Sequence, residues 1–210
     1  MVYGLQWVWC RGRSIMKQLF LLSLLMTAVA SCGGSNSSHG DAGAAITGNA
    51  GGRHLALVDA IFNTLVAKGL EFNGVSTTLL FPTYANACAQ FTAGNAVASS
   101  GFLFVGLADV AADGTAAPIT TSGSYVIFSG SVPASSRSAQ AFVEYLDSSC
   151  MRSSTVPATS GTITITRVGD KLIEGSVELT FGAGEDFSGT FSSSLCDGFS
   201  PNSSAFATCN

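Results

Sequence analysis

The clearest pattern in the chain lies in its carboxyl third, where apolar residues return at every second position through three consecutive runs. In GTITITRVGDKLIEGSVELTFGAGEDFSGTFSSSLC (161–196) they are Ile163 and Ile165, then Ile173, Val177, Leu179 and Phe181, then Phe187, Phe191 and Leu195. A repeat of two is that of a strand with one buried face, so the segment predicts an antiparallel meander. With Gly182 to Asp186 as the connecting loop, Phe181 falls opposite Phe187, Val177 opposite Phe191 and Ile173 opposite Leu195, with Leu179 over Gly189. A slip of one residue would turn these aromatics into water, so the pattern pins the face. The other face carries Glu174, Ser176, Glu178, Thr180, Ser188, Thr190 and Ser192, a hydroxyl-rich solvated surface.

Further strands are predicted upstream at 75–83, 101–110, 123–131 and 139–147, separated by turn clusters such as AADGTAAP and SVPASSRS. YANACAQFTAG (84–94) reads as a short helix that carries Cys88 and stops at Gly94. LVDAIFNTLVAKG (57–69) is ambiguous. Leu57, Val58, Ile61, Phe62, Leu65 and Val66 form a helical stripe, yet its Val, Ile, Phe and Thr also suit a strand. The expected fold is all-β, an antiparallel sandwich or barrel-like domain with one short helix.

The amino end follows a different logic. Met16-Lys17-Gln18 is a short basic start, and Leu19 to Val29 is an apolar run too short for a bilayer, which takes about twenty residues. That is signal-peptide anatomy, assigned to residues 1–31. Residues 1–15 hold both tryptophans and Cys10, and they fit either a long lead or a start misplaced from Met16. Val29-Ala30-Ser31-Cys32 resembles the lipobox of bacterial lipoproteins. The resemblance implies that the thiol of Cys32 is acylated with palmitate-like chains and becomes the mature amino terminus. Several acyl chains hold firmly, since each buried CH₂ contributes about 0.8 kcal/mol and one chain alone is marginal. Gly33 in place of aspartate implies an outer-membrane destination. Residues 32–52, with GGSNSSHGDAGAAITGNAGG after the cysteine, read as a lipidated flexible tether averaging roughly 25 Å, and 53–210 as the β domain.

Loss of the leader removes Arg11, Arg13 and Lys17, which leaves six basic residues against thirteen acids, a net charge of −7. Arg53, Lys68, Arg137, Arg152, Arg167 and Lys171 are scattered singly, so no basic footprint for nucleic acid is expected. Cys88, Cys150, Cys196 and Cys209 form an even set, which in an exported chain predicts two disulfides with three possible connectivities. The turn-rich CDGFSPNSSAFATC suggests Cys196 with Cys209, leaving Cys88 with Cys150. Zinc is the rival use of these cysteines, but no Cys-x-x-Cys spacing occurs and only His54 stands outside the tether.

Four stretches together, YANACAQF, FVEYLDSSC, the meander and the final cysteine, resemble uncharacterised small outer-membrane lipoproteins of myxobacteria and related Gram-negative bacteria. The resemblance implies outer-membrane tethering and an all-β domain. For 57–69 it implies a strand in which Ala60, Phe62 and Thr64 alternate with Ile61 and Asn63. It brings no activity and no site residues.

Catalytic signals are thin. Gly-x-Ser-x-Gly is absent and Ser14-x-x-Lys17 lies in the leader. His54 is a candidate base next to Arg53, read as a surface histidine. Glu174 and Glu178 on one strand face are about 13 Å apart, too far for the paired carboxylates of glycosidases. Asp170 with Glu185 and Asp186, and Asp109 with Asp113, form acidic turns without the spacing of an EF-hand loop. Tyr84, Tyr125 and Tyr145 are the amphipathic rings of the mature chain, the latter two on strands where burial is expected. No catalytic residue, metal or cofactor is expected. The leading expectation is a noncatalytic envelope lipoprotein with a structural or binding role, held to the membrane by its lipid, with its protein or ligand partner open. A carrier of apolar ligands is the alternative, since the many phenylalanines suit a cavity lining as well as a core, and a secreted hydrolase is a third.

Overall fold

The computed structural model describes residues 43–65, 72–182, 184–199 and 208–209. The leader, Cys32 and the first half of the tether lie outside the described residues. The elements follow in the order β1 (Gly43–Ala50), β2 (Arg53–Leu57), β3 (Ile61–Leu65), β4 (Asn73–Gly74), β5 (Ser76–Pro82), α1 (Ala87–Thr92), β6 (Asn95–Ala96), β7 (Gly101–Val110) and β8 (Thr115–Ala117). Then come β9 (Gly123–Ile127), β10 (Ser136–Leu146), β11 (Arg152–Pro157), β12 (Ser160–Val168), β13 (Leu172–Gly182), β14 (Glu185–Leu195) and β15 (Thr208–Cys209).

Of the two expected all-β architectures, the structure adopts the barrel. Strands β10, β9, β12, β13, β14, β3, β5 and β7 pair in that order, and a long antiparallel ladder between β7 and β10 closes the circle. An eight-stranded barrel is just wide enough for its inward side chains to fill it. Ile46, Leu79, Phe81, Leu103, Leu107, Tyr125, Ile163 and Phe187 meet inside, each fully buried.

The meander forms as predicted, with its faces correct and its register shifted by two. Leu179 lies opposite Phe187, Val177 opposite Gly189 and Gly175 opposite Phe191. The turn closes at Gly182 and Glu185, tighter than the predicted loop, with a bulge at Thr180/Gly182. A shift of two leaves every side chain on its own face, which is why Phe181, Phe187 and Phe191 still point inward. Phe181 and Phe187 now meet diagonally, edge to face at 5.2 Å between ring centroids.

The second half of the predicted tether is a strand. β1 pairs with β14 from Gly43↔Ser192 to Gly48↔Phe187, and β2 pairs back along β1. The glycines and alanines that read as slack serve close packing. A Cβ on Gly48 would lie 2.1 Å from the Asp186 carbonyl oxygen, and one on Gly189, at φ +150°, 2.0 Å from that of Ala45. Ile46 and Ala50, on the same face of β1 as Gly48, are sealed into the core. Residues 43–50, read as tether, are therefore part of the folded sheet.

Segment 57–69 resolves in favour of a strand, β3, as far as it is described. Ile61 and Phe62 are both buried, on opposite faces: Phe62 belongs to the barrel interior and Ile61 to a second apolar cluster outside the wall. That outer cluster sits on β5, β7 and β10, where Leu80, Phe102, Phe104 and Leu146 are covered by α1 and by Cys196 to Phe199. Helix α1 carries Cys88 as expected, and Gly94 follows it at φ +70°.

The disulfide pairing corrects the expectation. Cys88 bonds Cys196 and Cys150 bonds Cys209, both with Cα atoms 5.6 Å apart. The turn-rich end of the chain does not close on itself. Cys196, at the end of β14, meets the helix lying on the wall, and β15 runs on to pair with β6 beside the Cys150 loop.

Candidate functional site

Both ends of β10 carry the same device, an inward-facing tyrosine with an arginine laid over its ring. At one end the Arg53 guanidinium carbon lies 4.7 Å from the Tyr145 ring centroid, and the Tyr145 hydroxyl donates to the Ala50 carbonyl at 2.6 Å. At the other, Arg137 lies 5.7 Å from the Tyr125 centroid, and the Tyr125 hydroxyl donates to Asp109 Oδ1 at 3.2 Å. Arg137 also pairs with Asp109 at 3.5 Å and donates to the Ser122 carbonyl and the Thr121 hydroxyl. A cation over an aromatic face contributes about 0.5–2 kcal/mol depending on desolvation, so these stacks act as stoppers that tolerate water on their outer side.

The Tyr145 end opens into the candidate site, a cleft of about 490 Å³. Its walls include Arg53 and His54 from β2, Thr83 after β5, Ser100 before β7, and Asp147 and Ser153 around the end of β10. Two of the serine hydroxyls here are committed to backbone: Ser100 donates to Val97 O at 2.6 Å and Ser153 to Tyr145 O at 3.1 Å, while Ser99 on the same wall is exposed. Thr83 Oγ1 accepts from Gly101 N, and Asp147 Oδ1 accepts from the Ser149 and Met151 amides. The exposed edge of Arg53, the exposed His54 ring and the exposed Ser99 face the cleft. This arrangement offers charge and hydrogen bonds; Ser100 and Ser153 are turned to carbonyls. A second notch, of about 410 Å³, opens where β9 ends, between Phe128, Gln140, Phe142 and Pro157.

The other residues singled out in the sequence are dispersed. His54 is exposed, as expected. Glu174 pairs with Arg167 at 3.7 Å, and Glu178 is exposed on the same outer face. Glu185 is a structural clasp: its two oxygens accept from the amides of Gly51 and Gly52, at 2.9 and 2.6 Å, fixing the β1–β2 turn to the β13–β14 turn. Asp186 accepts from the Thr180 hydroxyl. Asp109 is engaged by Tyr125 and Arg137, and Asp113 by the Thr115 amide. Among the described residues no three of His, Cys, Asp and Glu gather in a metal-holding group.

Sequence reasoning missed Asp59, whose carboxylate accepts from the Ala60 amide and, at 2.8 Å, from the Ala87 amide at the start of α1. It also missed both arginine partners of the tyrosines. Arg53 reaches Tyr145 from a strand far away in the chain, and Arg137 reaches Tyr125 from the next strand, where neither residue's local pattern marks it. Protein-family models, curated proteins and solved structures yield no match to the chain.

The three tyrosines give a pH signature. Burial raises all three phenols above the ordinary 10.0, with Asp59 adding to the effect on Tyr84 and Asp109 to that on Tyr125, which reaches about 12. For Tyr145 burial again raises, Arg53 opposes and Glu185 adds. A phenol whose folded pKa exceeds its unfolded one contributes stability that is fully present below the unfolded value and is lost as pH rises through the folded one. The domain without its leader is therefore expected to hold its phenols protonated at pH 10 and to weaken above it. Phenolate absorbance should rise late and together with unfolding; a full tyrosinate signal near pH 10 in folded protein would contradict this.

Proposed function

We propose that the chain is a lipid-anchored protein of the bacterial outer envelope, related to the small lipoproteins it resembles, whose barrel has a noncatalytic structural or binding role. The observation that carries the reading of the barrel is its filled interior. A side chain lining a ligand-sized space keeps accessible surface, and such spaces run from about 300 Å³ upward. Leu79, Phe81, Leu103, Leu107, Ile163 and Phe187 keep essentially none. The aromatic content that suited a carrier is used instead for two packed layers, one inside the wall and one outside it.

The address rests on the leader and Cys32, and the two disulfides are consistent with an oxidising compartment. Cys32→Ser is expected to abolish incorporation of labelled palmitate and to leave unprocessed precursor or a soluble product. Continued labelling of the variant would overturn the proposal.

A further inference from the structure

Cys88 and Cys150 are both half-buried against the outer apolar cluster, and the two disulfides differ in their other sulfur, which is buried at Cys196 and exposed at Cys209. Cys88 and Cys196 share that cluster with Leu80, Phe102 and Phe199. Cys209 is exposed, on a strand of two residues, and among the described residues its strand is held by pairing to Asn95 and Ala96 and by a Thr208–Asn95 side-chain hydrogen bond. Its partner Cys150 sits in a tight loop organised by Asp147, whose carbonyl accepts from the Cys150 amide and whose carboxylate accepts from Ser149 and Met151. Cys150 is held there at φ +57°, a conformation L-residues seldom adopt.

We propose that Cys150–Cys209 is a thiol-exchange site and that Cys88–Cys196 is not. The reactant is a dithiol, either a small molecule or the reduced Cys-x-x-Cys pair of an oxidoreductase. Its thiolate attacks Cys209 Sγ, the accessible sulfur; the Cys209–Cys150 bond breaks, a mixed disulfide forms on Cys209, and Cys150 leaves as a thiolate that takes up a proton. The second thiol of the reactant then attacks its own sulfur in the mixed disulfide and expels Cys209 as a thiolate, which is protonated in turn. The sum is one protein disulfide reduced to two thiols and one dithiol oxidised to a disulfide. Attack on a sulfur depends on access, and exposed Cys209 gives this bridge an accessible sulfur that buried Cys196 does not offer in the other. Reduction frees β15 from β6 and lets the Cys150 loop relax, while Cys88–Cys196 keeps α1 on the barrel wall.

The test is graded exposure of the native, folded, oxidised protein to dithiothreitol, with trapping by iodoacetamide and peptide mapping. Cys150 and Cys209 are expected to be alkylated at least about tenfold faster than Cys88 and Cys196. Equal rates, or earlier labelling of Cys88 and Cys196, would overturn the proposal. Hydrogen exchange on the selectively reduced protein provides the structural readout, and the Cys150→Ser/Cys209→Ser double variant repeats it without a reductant. Faster exchange at Asn95 and Ala96 with unchanged protection of β5 and β7 supports the clasp; unchanged exchange at Asn95 and Ala96, or loss of protection throughout the barrel, counts against it.

Discussion

Replacing Cys88 and Cys196 together by serine is expected to destabilise the domain by about 4–5 kcal/mol, the chain-entropy value for closing a loop of this separation, 108 residues. For a domain whose total stability is about 5–15 kcal/mol, that is a large fraction. Two hydroxyls left under the aromatic cluster would add to the loss. The Cys150–Cys209 bridge closes 59 residues, and the logarithm makes its ideal contribution only slightly smaller. Its measured contribution should nonetheless fall well short. The entropic argument assumes that the native state keeps the two ends together once the bond is gone. Helix α1 is kept in place by the Asp59–Ala87 contact and the packing of Phe91 against Phe199, whereas among the described residues β15 is held by its two-residue pairing with β6, the Thr208 bonds to Gly94 and Asn95 and the Cys209–Ser148 contact. Urea unfolding of the two double-serine variants checks the order: the first should fall far below wild type and the second between them, and the reverse order would remove the distinction drawn between the bridges.

Phe81→Ala is expected to cost about 3–5 kcal/mol, the range for deleting a fully buried phenylalanine. Phe81 lies on β5 with no exposed surface and meets Phe191 edge to face at 5.0 Å across the barrel. Neighbours held in a closed ladder cannot collapse into the vacated space, so the cavity term is retained. Phe142→Ala on the outer face, where the ring is half-buried and stacks on Phe104 at 5.0 Å, should cost clearly less. Thermal or urea unfolding of both variants reads the difference. A loss below about 1 kcal/mol for Phe81→Ala would mean that the barrel interior has room to spare, which would restore the carrier reading.

The legible parts of this fold are those where one face of a strand meets water. β12 to β14 announce themselves by alternation because Glu178, Ser188 and Thr190 face solvent while Val177, Phe187 and Phe191 face the core. β5 and β7 are buried on both faces, since α1 and the Cys196–Phe199 segment cover their outer side, and so neither alternates: β7 reads as an almost continuous apolar run and β5 adds buried Ser76, Thr77 and Thr78 ahead of Leu79 to Pro82. The helical stripe over 57–69 has the same origin: Ile61 and Phe62 are adjacent apolar residues serving two different clusters. β1 was hidden for the opposite reason. Its fit to β14 depends on missing side chains at Gly48 and Gly189, and composition scores that as a linker. The disulfide pairing depends on where β14 ends relative to α1, and no local stretch of sequence encodes that distance. The stoppers were half legible. Burial of Tyr125 and Tyr145 followed from their strands, but the arginines above them arrive from other strands.

The claim on which the functional account depends is that the mature molecule begins at an acylated cysteine and carries this barrel on a tether. The direct measurement is the intact mass and amino-terminal peptide of the native chain extracted from membranes. The account predicts a single species starting at residue 32, heavier than its polypeptide by the mass of its acyl chains, and recovered with the outer membrane. A chain recovered from the aqueous fraction with an unmodified amino terminus at any other residue would contradict it.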